Sequence, residues 1–152
     1  MPLNVGQLTN DIRGVFEAQL DSSRDIASRI ARAYESYARL AQAPPGVPVV
    51  LKGSEVSLLE RGLLQVMEQR LLAPAAAQTV GAAVVSFWLT PPVAAGPGVV
   101  TAVIPQSGIA KMLGTNVSTA AQAAQSLASS LDLITRTVFV TAPPPAPSGV
   151  LF

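Results

Sequence analysis

A chain of 152 residues with neither cysteine nor histidine cannot build disulfides or zinc–thiolate sites, and it lacks the commonest general base. Its charged fraction is 12%, about half of the roughly 25% usual for soluble domains, and a net charge of +1 leaves no basic stripe to hold nucleic acid. Mean hydropathy is +0.42, so either a membrane or partner chains are expected to cover much of the surface.

Charge is crowded toward the start. Residues 71–110 hold none, and beyond them only Lys111, Asp132 and Arg136 remain. Residues 1–10 lack the basic start and apolar run of a secretory leader. A short helix is expected over 11–20, where Ile12, Val15, Phe16 and Leu20 fall at helical spacing. Asp21 or Ser22 then caps a longer helix to about Gln42, with Ile26, Ile30, Ala33, Tyr34, Tyr37 and Leu40 or Ala41 as its stripe. Asp25–Arg29 and Glu35–Arg39 are acid-first pairs four apart. The arginines of this helix read either as a solvated face or as the match for an acidic partner.

The run Ala43-Pro44-Pro45-Gly46-Val47-Pro48 ends that helix, because proline fixes φ and removes a donor. Val49-Val50-Leu51 follows as a short extended segment. Ser54 opens a helix to about Leu72 on Val56, Leu59, Leu63, Val66 and Met67. Gly62 sits inside it at a cost of roughly 1 kcal/mol against alanine, which points to close approach by another helix.

Pro74 suits the first turn of the next helix, 75–89, which is rich in Ala, Gly and Val and ends in Phe87-Trp88-Leu89. Apolar nearly all round, it reads as a buried central helix. Residues 73–89 are also about the shortest run that can span a bilayer. Gln78 and Thr79 dilute that run, however, and Pro91-Pro92 follow without a basic flank. Phe87 and Trp88 are either core anchors or an interface hot spot. Tyr34 and Tyr37 are expected to close the edge of the core with their hydroxyls toward water or carbonyls.

A Pro/Gly loop over 90–98 leads to a strand over 99–104 and a helical turn over 109–113. A last helix, 117–135, is capped by Thr115 or Asn116. Residues 137–141, Thr-Val-Phe-Val-Thr, form the strongest strand signal. The strand at 99–104 is its natural partner in either direction, and 49–51 or a neighbouring subunit could add a third. The tail, 142–152, is proline-rich and favours an extended arm tipped by Val150, Leu151 and Phe152. It reads as a loose end or as an arm docking its tip on another subunit.

The expected fold is α+β, mainly α. Four to five helices pack around the 75–89 helix beside a small two- to three-stranded sheet. One domain spans 1–141, followed by the arm 142–152.

No residue set here points to catalysis. Gly96-Pro97-Gly98 lacks the Gly-Lys-Ser/Thr of a phosphate-binding loop. Glu55, Glu60 and Glu68 share a helix but stand near Arg61 and Arg70 and read as a solvated face. Ser107 four residues before Lys111 is too slight a pattern for a nucleophile dyad. No catalytic, cofactor-binding or metal-ligating residue is assigned, and no small-molecule substrate is expected. The candidate site is instead an interface made from Phe87, Trp88, Val150, Leu151 and Phe152.

Several segments follow one another in a familiar order: Ala33-Tyr34-Glu35-Ser36-Tyr37-Ala38, the run 82–88 ending in Phe87-Trp88, Val99-Val100-Thr101, the Ala-rich 120–131, and Thr135-Arg136-Thr137-Val138-Phe139-Val140-Thr141. This layout resembles small virion structural proteins of tailed bacteriophages over residues 25–141, and the proline-rich tail departs from it. The resemblance implies a non-catalytic oligomeric component of the head, neck or head–tail connector, with the neck or head–tail joining region first. Capsid cement and tail component are the alternatives within the particle. Its partners would be other copies of itself and other virion proteins, and it would be assembled in the bacterial host cytoplasm. Outside that resemblance, a small adaptor or a membrane-associated bacterial protein remains open.

Overall fold

The computed structural model describes residues 3–19, 22–71, 73–104 and 119–152. In chain order they form α1 (Val5–Glu17), α2 (Ser23–Ala38), β1 (Gln42–Ala43), β2 (Val47–Val50), α3 (Glu55–Glu68) and α4 (Ala73–Leu89). Then come β3 (Ala94–Ala95), β4 (Gly98–Ala102), α5 (Ala120–Thr135), β5 (Phe139–Thr141) and β6 (Gly149–Val150). The class is α+β with five helices among the described residues. The turn expected at 109–113, the caps Thr115 and Asn116, and the Ser107–Lys111 pair lie outside the described residues.

Side chains set where the helices start. Asn4 Oδ1 accepts from the Gln7 N–H at 3.1 Å, so α1 begins well before residue 11, where apolar spacing alone would start it. Ser22 Oγ accepts from the N–H groups of Arg24 and Asp25 at the head of α2, and Thr119 Oγ1 from that of Gln122 at the head of α5. Before α3 the buried Glu55 carboxylate accepts from Lys52 and Gly53 N–H at 3.1 and 2.7 Å, holding the turn that enters the helix. The end of α3 is a Schellman turn. Leu71 N–H reaches Val66 O at 3.2 Å and Arg70 N–H reaches Met67 O at 3.4 Å, with Arg70 in the left-handed region at φ +49°.

α1 packs on α2 and α5, α2 on α3, and α3 on α4. Their core includes Leu8, Ile12, Ile30, Tyr34, Leu59, Val84, Leu131 and Ile134. Gly62 does mark a close approach, since a Cβ built there would stand 2.4 Å from the Cβ of Ala83 on α4. α4 is not the hub of the bundle, however. It lies mainly on α3, and Gln78 and Ala82 stay exposed. Alanine carries so little apolar area that leaving it in water costs little, which makes an apolar composition compatible with an outer helix. No helix among the described residues is long and apolar enough to cross a membrane.

The larger correction concerns the sheet, which among the described residues has six strands instead of two or three, all antiparallel and in chain order. β4 and β5 do pair, with Val99 opposite Thr141 and Val100 opposite Val140. Strands β1, β3 and β6 are only two residues long, too short for alternation to show in the sequence. The ladder also closes on itself. Gln42 N–H donates to Phe152 O and Phe152 N–H donates to Gln42 O, both at 3.1 Å, the double exchange of an antiparallel pair. The result is a small barrel of three hairpins.

Closure corrects the reading of the tail. Residues 142–148 are the loop of the third hairpin, and 149–152 belong to the barrel, not to a free arm. Each strand or its direct extension turns at least one buried side chain inward, among them Ala43, Val49, Ala95, Val100, Val140 and Leu151. The bore is narrow, for a Cβ on Gly98 would stand 2.8 Å from Val140 Cγ1. Because the strands alternate in direction, every link to a helix leaves from one end of the barrel. All three hairpin loops, 44–46, 96–97 and 142–148, lie at the other.

Candidate interaction surface

Phe87 and Trp88, two of the five residues expected at an interface, are fully buried in this chain and offer no surface to another. Phe87 stands edge-on to Tyr34 at 5.1 Å between ring centroids and to Trp88 at 5.3 Å. The polar ends of these rings are joined in one direction. Trp88 Nε1–H donates to Tyr34 Oη at 2.9 Å, and Tyr34 Oη lies 2.7 Å from Thr135 Oγ1. Thr135 spends its proton on Leu131 O at 2.7 Å, so Tyr34 must be the donor to Thr135. Burial holds the Tyr34 hydroxyl neutral and pushes its pKa up to about 12. The expectation that Tyr34 would reach water is therefore corrected, since its partners are buried side chains.

Tyr37 sits one turn further on and donates to an Asp132 carboxylate oxygen, while Arg136 Nε donates to the other at 2.9 Å. Burial, then the Asp132 carboxylate, pushes the Tyr37 pKa upward. The hydrogen bond to Asp132 raises that of Arg136. The Tyr37–Asp132 bond fixes α2 against the end of α5, while Arg136 and Asp132 pair within the end of α5 itself. Tyr37 also lines a small cavity with Asn4, Gln7, Asp11, Ser36 and Leu40. No three acidic side chains among the described residues stand close enough to hold a metal ion.

The feature that stands out is the outside of the barrel. Pro48 and Val50, Ala94, Val99 and Thr101, Phe139 and Thr141, then Val150 and Phe152 alternate with the inward residues. Pairing joins them into a band, with Val50 opposite Ala94, Ala94 opposite Val99, Val99 opposite Thr141, and Phe139 opposite Val150. Phe152 meets Gln42, and Gln42 lies opposite Pro48, which completes the circuit. Val50, Val99, Phe139, Val150 and Phe152 are between 37% and 57% exposed. Residues 42–50, 94–102 and 139–152 contain no charged side chain. The ion pairs Arg13–Glu17, Glu35–Arg39 and Asp132–Arg136 all lie along helices or at their ends.

Of the predicted interface residues, Val150 and Phe152 therefore lie on this wall, while Leu151 points into the bore. The wall also includes Val50, Val99 and Phe139, which sequence reasoning had assigned only to strands. A signal for them was present, because the outward positions of 99–104 and 137–141 carry no charge whichever face is chosen. Family models, curated proteins and solved structures were all searched, and none matches this chain.

Proposed function

We propose that this chain is a non-catalytic structural subunit that works by protein–protein contact, with the uncharged barrel wall as its contact surface. The observation that carries the reading is the segregation of charge. Helices hold the ion pairs, while a whole barrel with exposed valines and phenylalanines holds no charged side chain. Interface cores are depleted in charge and enriched in aromatics in the same way. A contiguous apolar patch left in water is a liability unless something covers it.

The finer reading is a subunit of a tailed-phage virion in the neck or head–tail joining region, and its support is the order of sequence segments described above. An antibody against the purified chain tests it by immunoblot and gold labelling of purified particles from the host that encodes it. Label on the particle, at the junction of head and tail, is the expected result. Label over the capsid or along the tail moves the subunit within the particle. Chain present in the lysate but missing from purified particles, or recovered with membranes, refutes the virion reading.

A further inference from the structure

We infer that the cavity between the first turns of α1 and the last turn of α2 is a binding site for a primary ammonium group carried on a short alkyl chain. The cavity holds about 200 Å³. It is built from helices, and the inference is independent of the contact role proposed above for the barrel wall.

Asp11 sets the sign of the site. It is the one charged side chain among the six residues that line the cavity, and it belongs to none of the helical ion pairs. The charges close by in sequence or in contact are already matched. Arg39, next to Leu40, is held on Glu35, and Asp132, which takes the Tyr37 hydroxyl proton, is held on Arg136. An anion therefore meets an unmatched carboxylate, while a cation gains a charge-assisted hydrogen bond.

The arrangement of acceptors selects the kind of cation. Gln7 Nε2–H donates to Asp11 Oδ1 at 2.8 Å, which fixes the carboxylate and leaves Oδ2 without a donor among the described residues. Gln7 Oε1 and Ser36 Oγ have no hydrogen-bond partner there either. Three acceptors on three side chains suit the three N–H donors of an ammonium. A guanidinium is served best by both oxygens of one carboxylate, and here one is taken. A divalent metal ion wants more oxygen ligands of full charge than a single carboxylate supplies.

The rest of the lining suits the alkyl chain. Leu40 and the Tyr37 ring give the methylenes an apolar wall, and the ring face attracts the cation itself. That ring is held in place by its hydroxyl bond to Asp132 and by the Tyr34 ring 5.9 Å away, so the wall exists before a ligand arrives. The same ammonium ends a free alkylamine and a lysine side chain of a neighbouring protein, and the site recognises what they share.

Amide chemical shifts of the isotope-labelled full chain, titrated with n-butylamine hydrochloride at fixed pH and ionic strength, test this. The signals of Gln7, Asp11 and Ser36 are expected to move to saturation with a Kd of about 1–10 mM, a range suited to so small a ligand. n-Butanol, of equal length but uncharged, is expected to bind about tenfold more weakly or worse. Asp11→Asn, which keeps an oxygen for Gln7, is expected to weaken butylamine by about tenfold. Ser36→Ala is expected to weaken it in the same direction should the asparagine variant not fold, with circular dichroism as the check. A lysine blocked at both backbone ends separates the two sources. Its binding at the same amides supports a side chain as the ligand, and its exclusion supports a free amine. No saturation of these signals by about 100 mM butylamine overturns the proposal. So does butanol binding as well as butylamine, or an affinity unchanged in the folded variants. None of these outcomes bears on the barrel wall or on the virion reading.

Discussion

Removing one hydroxyl, by Tyr34→Phe, tests whether the buried polar chain is sealed. The phenyl ring keeps its edge contact with Phe87, so packing is preserved and only the Trp88→Tyr34→Thr135 relay is cut. Trp88 is fully buried and its Nε1–H loses its acceptor, which costs about 1–3 kcal/mol for an orphaned donor. Adding the lost Tyr34–Thr135 bond, about 0.5–1.5 kcal/mol, gives a total of about 1.5–4.5 kcal/mol. In a chain of this length that lowers the melting temperature by roughly 3–18 °C. Urea unfolding followed by circular dichroism measures the loss, and the double variant with Trp88→Phe isolates its cause. Without an indole there is no donor to orphan, so Trp88→Phe should cost about 1–3 kcal/mol less in the Tyr34→Phe background than in the wild type. A loss below about 0.5 kcal/mol for Tyr34→Phe, with additive single variants, would mean that the indole finds another partner and the relay is not sealed.

Gly62→Ala should destabilise by about 1–3 kcal/mol, despite alanine's better helix propensity, because its Cβ lands on that of Ala83. Ala83→Gly in the same chain should restore most of the loss in a thermal melt. Arg70→Gly should stabilise by about 1 kcal/mol, since glycine fits the left-handed end of α3 without strain, and a denaturant titration would show an unchanged slope with a higher midpoint. Leu151→Ala should cost about 2–5 kcal/mol by emptying one of the inward positions of the barrel, whereas a loose tail would tolerate it at no measurable cost. Alkali should unfold the protein early. The folded state keeps the Tyr34 proton up to about 12 while the unfolded chain releases it near 10.0, so stability is full below that lower value. Tyr34 then takes away about 1.4 kcal/mol per pH unit between the two, and Tyr37 adds to the fall because its pKa is raised as well. Tyr34→Phe should make that limb shallower without abolishing it.

Most helices were legible because a periodic stripe or a cap or breaker is written locally. α1 nevertheless starts at Val5 and not at residue 11, since its first turn is set by the Asn4 cap and not by apolar spacing. Ser22 caps α2 as its sequence implies, and Gly62 announces the α3–α4 approach by being the wrong residue for a helix interior. The barrel was not, because closure is non-local. Nothing in Gln42 or Phe152 marks them as partners, and two-residue strands such as Ala94–Ala95 have no period to detect. The candidate surface was half legible for the same reason. The hydrophobicity of Val150 and Phe152 was plain, but which of Val150, Leu151 and Phe152 turns inward depends on register with β5, which only the folded chain fixes. Trp88 shows the opposite limit. A tryptophan reads equally as anchor or hot spot until its neighbours are known, and here Tyr34 and Phe87 claim it for the core.

The exchange between Gln42 and Phe152 also governs the order in which the molecule can fold. Each hairpin is local and can form as soon as its own turn does, but the first and third hairpins are separated by most of the chain, with three helices among its described residues. Their union requires a long loop to close before any contact rewards it, and such pairings are slow to form. The helices that dock β1 beside β6 must therefore come together before the barrel can seal. Until it does, both strands carry open edges beside exposed valines and phenylalanines, so the hazard of clumping falls on the folding chain and ends when the last pair of hydrogen bonds is made.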